Sequence, residues 1–282
     1  MDYAFYGLAA LLTALIMSTS GWAEAHGCAV EKSTVSRDDS VYECFPALTR
    51  LRSGRLVLVY RESDAHVSIT YCRLIVRTSD DGGRTWSDRH VLIESDKKEG
   101  SLQHYNCPKV QQLRDGRVLI LCDTYPAVVG ENANNMRPGT VLFWYSPDDV
   151  VELENGDWLL ATQVANPLTK YLVQCVSRCS DGGRTWSDPQ VVAAKDGYHF
   201  CEASILKLPG GQLVCYMREN SGLGRPGYKS ISQDDGKTWS VPYETQMEGC
   251  HRPVAHITSS GKVLILYRHH IGGMSYGTKN VF

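Results

Sequence analysis

Three short segments of this chain repeat one eight-residue pattern, S-x-D-x-G-x-T-W, and this repeat constrains the fold more than any other feature. The copies span residues 79–86, 179–186 and 232–239, and Cys179 replaces the first Ser of the second copy. An Asp before Gly builds a tight turn, because its carboxylate accepts backbone N–H bonds and Gly takes a positive φ. We expect the Trp that follows to bury its ring against its own repeat.

Five strand–turn–strand units accompany these motifs. Each has a Gly at the turn between two apolar runs, which is a hairpin signal, and the glycines are Gly54, Gly116, Gly156, Gly211 and Gly261. The run after each Gly is apolar at nearly every position, which predicts a strand buried on both faces. No segment beyond the N-terminal region has a convincing helical period. The sequence therefore predicts an all-β chain of small antiparallel sheets arranged radially as a β-propeller.

The repeated turn is the Asp-box of BNR repeats, and the strand pairs resemble the blades of the sialidase (neuraminidase) superfamily. This resemblance covers residues from about 40 to 282 and implies a sialidase-type, six-bladed β-propeller. Five blades are recognisable in the sequence, and we expect the sixth to be incomplete, because only residues 269–282 follow the fifth hairpin. Ser146 to Asp149 begins another Asp-box without its second half. We therefore expect residues 146–151 to run directly into the third hairpin, leaving a shortened second blade.

The N-terminus predicts export. Residues 6–17 are apolar, and Ala23-Glu24-Ala25 matches a small-x-small cleavage site, so we expect residues 1–25 to be a signal peptide. The propeller domain would then span residues 26–282 of a secreted or periplasmic protein. An uncleaved membrane anchor is the alternative, although the apolar run is short for a stable membrane span. All ten cysteines follow the expected cut, which permits disulfides without assigning pairs.

Composition narrows the class of partner. The net charge of −2 and the absence of a basic cluster give no indication of a nucleic-acid partner. No cofactor is expected, and no cysteine–histidine spacing indicates a metal. The Asp-box aspartates are expected to form turns rather than bind calcium, because no twelve-residue loop with a terminal Glu follows them.

The candidate site lies at one rim of the predicted propeller. In each hairpin, the start of the first strand and the end of the second share one rim, and polar residues concentrate there. Arg recurs at the same repeat position in blades one, four and five, which favours a binding site over a merely solvated edge. The rim residues include Glu43, Cys44, Arg61, Glu62, Asp64, Asn106, Asp123, Gln163, Glu202, Arg218, Glu219, His251, Arg252, Arg268, His269 and His270.

The resemblance to sialidases implies roles for some of these residues. The family holds the carboxylate of a terminal acidic sugar with arginines, whose planar guanidinium groups suit bidentate bonding. The matching positions are Arg61, Arg218 and Arg252, while Cys44 replaces the Arg of the family's Y-R-I-P sequence; Asp123 is expected to bind substrate from the same rim. Asp64 is the expected acid/base residue, and Glu202 is the expected activator of the nucleophile.

The nucleophile of the family is a Tyr, an exception to the usual pair of carboxylates. Tyr276 is the candidate in the sixth blade, but Met274-Ser275-Tyr276-Gly277 does not match the family's context, so we expect the nucleophile to lie beyond this chain. Two functions follow as alternatives. One is an exo-acting glycoside hydrolase for terminal acidic sugars, and the other is a propeller that binds glycans at the same rim without cleaving them.

Overall fold

The structure of the protein is a computed structural model that describes residues 32–95, 97–98, 101–128, 143–144, 148–166 and 168–270. All regular structure in these ranges is β-strand, which confirms the predicted all-β class. No helix within them is long and apolar enough to cross a membrane. The predicted signal peptide and Tyr276 lie outside the described residues. The chain divides into two compact units, Lys32–Asp149 and, among the described residues, 150–270.

The unit Lys32–Asp149 contains two antiparallel sheets. The first has the order β1-β2-β3-β4, and its strands are β1 (Tyr42–Arg50), β2 (Leu56–Ser63), β3 (Cys72–Ser79) and β4 (His90–Glu94). The second has the order β5-β6-β7, and its strands are β5 (Lys97–Lys98), β6 (Ser101–Gln112) and β7 (Val118–Val128). The short strand β8 (Phe143–Trp144) follows. These two sheets correspond to the first two predicted blades.

The second unit contains the remaining three hairpins. In its first sheet, β10 pairs with β9 and β11, and β11 pairs with β12; the strands are β9 (Val151–Glu152), β10 (Trp158–Ala165), β11 (Leu172–Cys179) and β12 (Gln190–Ala193). The next sheet has the order β13 (Phe200–Lys207), β14 (Leu213–Glu219), β15 (Tyr228–Ser232) and β16 (Tyr243–Glu244). The last hairpin pairs β17 (Cys250–Ile257) with β18 (Val263–His269). All five predicted hairpins are therefore present.

The hairpin turns form as their glycines predict. The turn glycines have φ between 79° and 94°, a region that glycine occupies at little cost. Each donates its N–H to the carbonyl three residues earlier, at 2.8–3.2 Å in all five turns. The five turns thus share one geometry, set by local sequence.

The Asp-boxes link the third and fourth strands of their blades. Asp81 accepts hydrogen bonds from the Thr85 hydroxyl at 2.6 Å, from the Thr85 backbone N–H at 2.9 Å and from the Ser79 hydroxyl at 2.8 Å. Asp234 repeats these contacts, while in the second box the Cys179 thiol donates to Asp181 at 3.0 Å. Hydrogen bonds led by the Thr hydroxyl lower the pKa of all three carboxyls. The aspartates act as turn formers, as predicted.

The cores lie between neighbouring sheets of each unit. In the first unit, Val57 and Val59 pack with Val110 of the next sheet; in the second, one cluster joins Leu159 and Val176 to Leu213. Trp86 packs against Leu58, Tyr60 and Ile75 of its own blade, and Trp239 packs against the core cluster of the second unit. Trp86 and Trp239 each donate their indole N–H to the Gly carbonyl three residues earlier, at 3.1 and 3.2 Å. Trp86 and Trp239 thus share one contact within their own repeats, and Trp186 is half-buried in the middle copy.

Burial of the second strand of each hairpin differs between blades. Strands β2, β10 and β14 are buried along most of their length, as predicted. The prediction is wrong for β7 and β18, whose described side chains are mainly half-buried or exposed. Among the described residues these two strands pair on one side only, whereas β2, β10 and β14 have a strand on each side. Apolar sequence alone does not reveal that difference.

Two further predictions concern the second blade and the cysteines. The expected loss of the outer strand of that blade falls on residues 129–142 and 145–147, which lie outside the described residues. No disulfide joins two of the nine described cysteines, and seven of them are buried. Burial raises the pKa of Cys175 and of Cys250 to about 12, so they are unreactive apolar side chains.

Candidate functional site

Four inner strands contain the same irregularity. Near the start of β1, β13 and β17, and in the middle of β6, the pairing with the neighbouring strand slips, which is a β-bulge. One non-glycine residue in each slip has a left-handed backbone: Phe45 (φ 53°), Cys107 (46°), Glu202 (49°) and Arg252 (48°). Such a conformation costs about 1–3 kcal/mol and is kept mainly at functional sites. The bulge therefore defines a repeat position that differs between blades only in its side chain.

The neighbouring strands supply a second repeat position. Arg61, Asp123, Arg218 and Arg268 pair with the residue just before the bulge in their own blades. The predicted recurrence of Arg in blades one, four and five is thus confirmed by the strand register. Gln163 takes the same place in β10, five residues after the start of that strand.

The two positions meet in blade four as an ion pair. Arg218 donates from Nη1 to Glu202 Oε2 at 2.7 Å, and the two side chains are 10% and 22% exposed. Arg218 also donates from Nη2 to Asn220 Oδ1 at 2.5 Å. The backbone N–H of Glu202 donates to Gln163 Oε1 at 2.7 Å, so blade three supports the bulge of blade four. Hydrogen bonds therefore hold Glu202 at both its backbone N–H and its side-chain carboxylate.

Two further arginines act on Glu202. Burial alone would raise the pKa of Glu202, but the charges of Arg218 and Arg252, the hydrogen bond from Arg218 and the charge of Arg268 together hold that pKa below its usual value. Three guanidinium charges acting on one carboxylate leave this cluster positively charged. The structure thus pairs Glu202 with Arg218, and the charges of Arg252 and Arg268 act on the same carboxylate.

His251 fills the space beside these arginines as a neutral ring. Burial, followed by the charges of Arg218 and Arg268, lowers the pKa of His251 to about 3. Its Nδ1 lies 3.1 Å from Arg268 Nη2 and accepts that hydrogen bond, and its ring stacks on His270 with centroids 4.7 Å apart. Arg268 is exposed. The neutral histidine thus positions an exposed cation without adding charge.

Arg61 has a different environment, in the unit Lys32–Asp149. Its side chain is fully buried. Nη1 lies 2.6 Å from His104 Nε2 and 3.0 Å from Asn106 Oδ1, and Nη2 donates to the carbonyls of Ala65 (3.2 Å) and His66 (2.8 Å). Burial and the Arg61 charge lower the pKa of His104 to about 3, so that ring is a neutral acceptor. Arg61 anchors the loop after β2 to β6, and its guanidinium does not reach solvent in this structure.

Asp64 and Asp123 lie in the same unit. Asp64 is exposed and accepts hydrogen bonds from the Thr70 N–H at 2.9 Å and the Thr70 hydroxyl at 2.7 Å. Partial burial would raise the pKa of Asp64, but these hydrogen bonds lower it below its usual value, so Asp64 is ionised at neutral pH. Asp123 is half-buried opposite Asn106.

Sequence inspection assigned no role to His104 or Phe45, which contact Arg61. His104 precedes Asn106 by two residues on one strand, and such residues share a face, which is the signal that would have found it. Phe45 has no comparable signal, because its left-handed backbone is visible only in the structure. Within the described ranges, no group of three or more His, Cys, Asp or Glu side chains is arranged to hold a metal ion.

Comparison with known proteins places these features in a family. The BNR repeat-like domain family matches residues 13–272, which is most of the chain. No curated protein matches the sequence. Among solved structures, the chain is similar to a protein of unknown function from Dyadobacter fermentans, with 20% identity and a TM-score of 0.68 over 85% of this chain and 79% of that chain.

Two similar structures carry named activities. A variant of the NanB sialidase from Streptococcus pneumoniae shares 13% identity, with a TM-score of 0.60 over 89% of this chain and 61% of that chain. The alpha-L-arabinanase of Penicillium chrysogenum shares 14% identity, with a TM-score of 0.58 over 81% of this chain and 76% of that chain. The chain therefore spans less than two thirds of the sialidase chain. At such identities the similarity shows the fold, an all-β propeller of the sialidase type.

Proposed function

The chain belongs to the BNR repeat-like domain family, and from that premise we propose that it is an exo-acting glycoside hydrolase of the sialidase type that removes terminal acidic sugars from glycans. The observation that carries this proposal is the cluster of Glu202 with Arg218, Arg252 and Arg268. A sialidase and an arabinanase among the similar structures support carbohydrate as the class of ligand. The fold alone does not select a reaction, so the proposal depends on this cluster.

The positive cluster suits the carboxylate of an acidic sugar. Arg218 already bonds Glu202, and Arg252 and the exposed Arg268 supply further cationic charge. A second anion between these guanidinium groups would offset their mutual repulsion. Planar guanidinium groups bind a carboxylate through two parallel hydrogen bonds, which would fix the orientation of the sugar ring. Arg218 and Arg252 are therefore proposed as the clamp, with Arg268 as an additional contact.

The proposed catalytic roles are those of two carboxylates with different tasks. Glu202 has a lowered pKa, so it stays ionised and is able to accept a proton from a tyrosine nucleophile, whose neutral form avoids repulsion by an anionic substrate. Asp64 would serve as acid/base residue. Its hydrogen bonds from Thr70 favour the ionised form, and an anionic substrate beside it would raise its pKa toward the range of a general acid.

The alternative is a glycan-binding propeller without hydrolytic activity. Two observations favour it: the guanidinium of Arg61 is buried and bonded to neutral acceptors, and the exposed Asp64 is ionised. In that case the Glu202 cluster binds an acidic sugar and no bond is broken.

Turnover of a fluorogenic sialoside, measured beside a panel of neutral glycosides, separates the two functions. The hydrolase requires release of the fluorophore by a version of the chain with a completed sixth blade, and loss of that release when Glu202→Gln is introduced into the same version. Calorimetric binding of the free acidic sugar then tests the cluster itself. Arg252→Ala should weaken binding by about 2–5 kcal/mol, the range for losing one partner of a buried charge pair. Arg114→Ala, on a hairpin turn, is the matched control and should not change it. No turnover with intact, Arg252-dependent binding would establish the binding propeller; no binding would refute both.

We also propose that the protein is exported, because residues 6–25 combine an apolar run with a small-x-small cleavage site. The mass of the mature N-terminus tests this. A chain that begins near residue 26 is expected, and a soluble product that retains Met1 would contradict the proposal.

A further inference from the structure

An aromatic cluster occupies the rim end of the first blade. It consists of Tyr42, Phe45 and His66, here called the blade-one aromatic cluster. The Tyr42 and His66 rings stand edge to face, with centroids 5.7 Å apart at 88°, and the Phe45 and His66 rings lie 5.5 Å apart at 45°. Tyr42 is 38% exposed, His66 is exposed and Phe45 is half-buried. Three rings thus reach the surface together.

The backbone around the cluster holds the rings in place. Phe45 has the left-handed φ of 53° at the bulge, the repeat position that Glu202 and Arg252 occupy in their blades. The carbonyls of Ala65 and His66 accept hydrogen bonds from buried Arg61, which fixes the loop that carries His66. The Tyr42 hydroxyl lies 2.9 Å from His66 Nδ1. The rings are therefore preorganised, so ligand binding would cost little side-chain ordering.

The buried guanidinium of Arg61 supports the cluster from the inner side, opposite the apolar ring surface that faces solvent. Its Cζ lies 5.0 Å from the centroid of the Phe45 ring, and Arg61 is fully buried while Phe45 is half-buried. The guanidinium therefore packs on the inner side of that ring, a cation–π contact that supports it.

We propose that the blade-one aromatic cluster is a stacking subsite for a neutral sugar ring of the glycan. The apolar C–H face of a pyranose packs on aromatic rings, which present large, rigid contact area at low entropic cost. The inference rests on the proposed function for its glycan ligand, and it assigns neutral sugar recognition to residues separate from the Glu202 cluster. The bulge position holds the charged residues Glu202 and Arg252 in blades four and five, and it holds the aromatic Phe45 in blade one.

Tyr42→Ala in the full-length protein tests the subsite. The probes are lactose and cellotetraose, titrated by calorimetry and followed by saturation-transfer NMR. Binding should weaken roughly 3- to 10-fold, the equivalent of losing one aromatic contact. Tyr243→Ala is the matched control, because Tyr243 is 41% exposed on a different sheet, and it should leave binding unchanged. Tyr42→Phe keeps the ring and should retain most of the affinity.

The wild-type protein provides a readout that needs no variant. Saturation should transfer between the probe and the rings of Tyr42 and His66, with shifts of their resonances on titration. Equal effects of Tyr42→Ala and Tyr243→Ala, or no response of these rings to any neutral probe, would overturn the subsite. Dependence of neutral-sugar binding on Tyr42, without Arg252-dependent binding of an acidic sugar, would support the subsite and refute the proposed function.

Discussion

Exchanging Glu202 for Gln is the most informative perturbation of this protein. Gln has nearly the same shape and its oxygen still accepts the hydrogen bond of Arg218, but the negative charge is lost. The structure places that charge 2.7 Å from Arg218 Nη1 and within the field of Arg252 and Arg268. The exchange therefore leaves three like charges with less compensation, and native stability should fall.

The size of the loss follows from burial and distance. Two unit charges about 4 Å apart interact by about 4 kcal/mol at an effective dielectric constant near 20. Breaking a buried pair by removing one partner costs about 3–5 kcal/mol. Here the side chains retain 10% and 22% exposure, and Gln keeps the hydrogen bond. We therefore expect Glu202→Gln to lower the free energy of unfolding by about 2–4 kcal/mol at neutral pH.

The dependence on pH identifies the cause. The folded pKa of Glu202 lies below its unfolded value of about 4.3. Its contribution is fully present above the unfolded pKa and is lost as pH falls through the folded pKa. The difference in the free energy of unfolding between wild type and variant, here called the gap, should thus stay constant from about pH 6 to 8 and narrow below about pH 4. Neutral His104 also weakens the fold in acid, but both proteins share that effect.

Urea denaturation at a series of pH values measures the gap. Glu154→Gln is the control, because Glu154 pairs with Lys207 but is 77% exposed, and such pairs contribute about 0–1 kcal/mol. Added acetate should raise the melting temperature of Glu202→Gln more than that of the wild type, since the anion replaces the missing carboxylate. Equal stability of wild type and variant at neutral pH, or a gap that does not narrow in acid, would refute the electrostatic reasoning.

Three further outcomes are expected. Gly236→Ala should lower the free energy of unfolding by about 2–4 kcal/mol, because the added Cβ would lie 2.8 Å from Leu159 Cδ1 at a φ of +80°. In the control Gly261→Ala, at a φ of +79°, the Cβ meets no atom within 4 Å, so only the backbone strain of about 1–2 kcal/mol is lost. Similar losses for the two variants in urea denaturation would contradict this. Cys179→Ser should change stability by less than about 1 kcal/mol because a hydroxyl makes the same two contacts, whereas Cys179→Ala should lose about 1–3 kcal/mol by leaving the Gly183 N–H unpaired. The His251 ring should show no titration by NMR between pH 5 and 8, since its pKa is about 3, and a midpoint near 6.5 would show that the ring is not enclosed as described.

The sequence by itself determined the features whose contacting residues lie close together along the chain. In the Asp-boxes, Asp81 contacts Thr85 and Ser79, and the hairpin glycines bond a carbonyl three residues earlier. Because these contacts lie within four residues, a short pattern contains all the groups that make them. The same regular spacing places Arg61, Arg218 and Arg268 at one repeat position.

Tertiary structure decided which of these equivalent arginines is available to a ligand. Arg61 is buried because His104 and Asn106, more than forty residues away, enclose it from the next sheet. Arg218 is bound to Glu202, and Arg268 is exposed beside His251. The exposure and the charge balance of each arginine depend on which distant side chains pack around it. The repeat sets the same backbone geometry in each blade, but it does not determine those neighbouring side chains, which are set by the packing between blades.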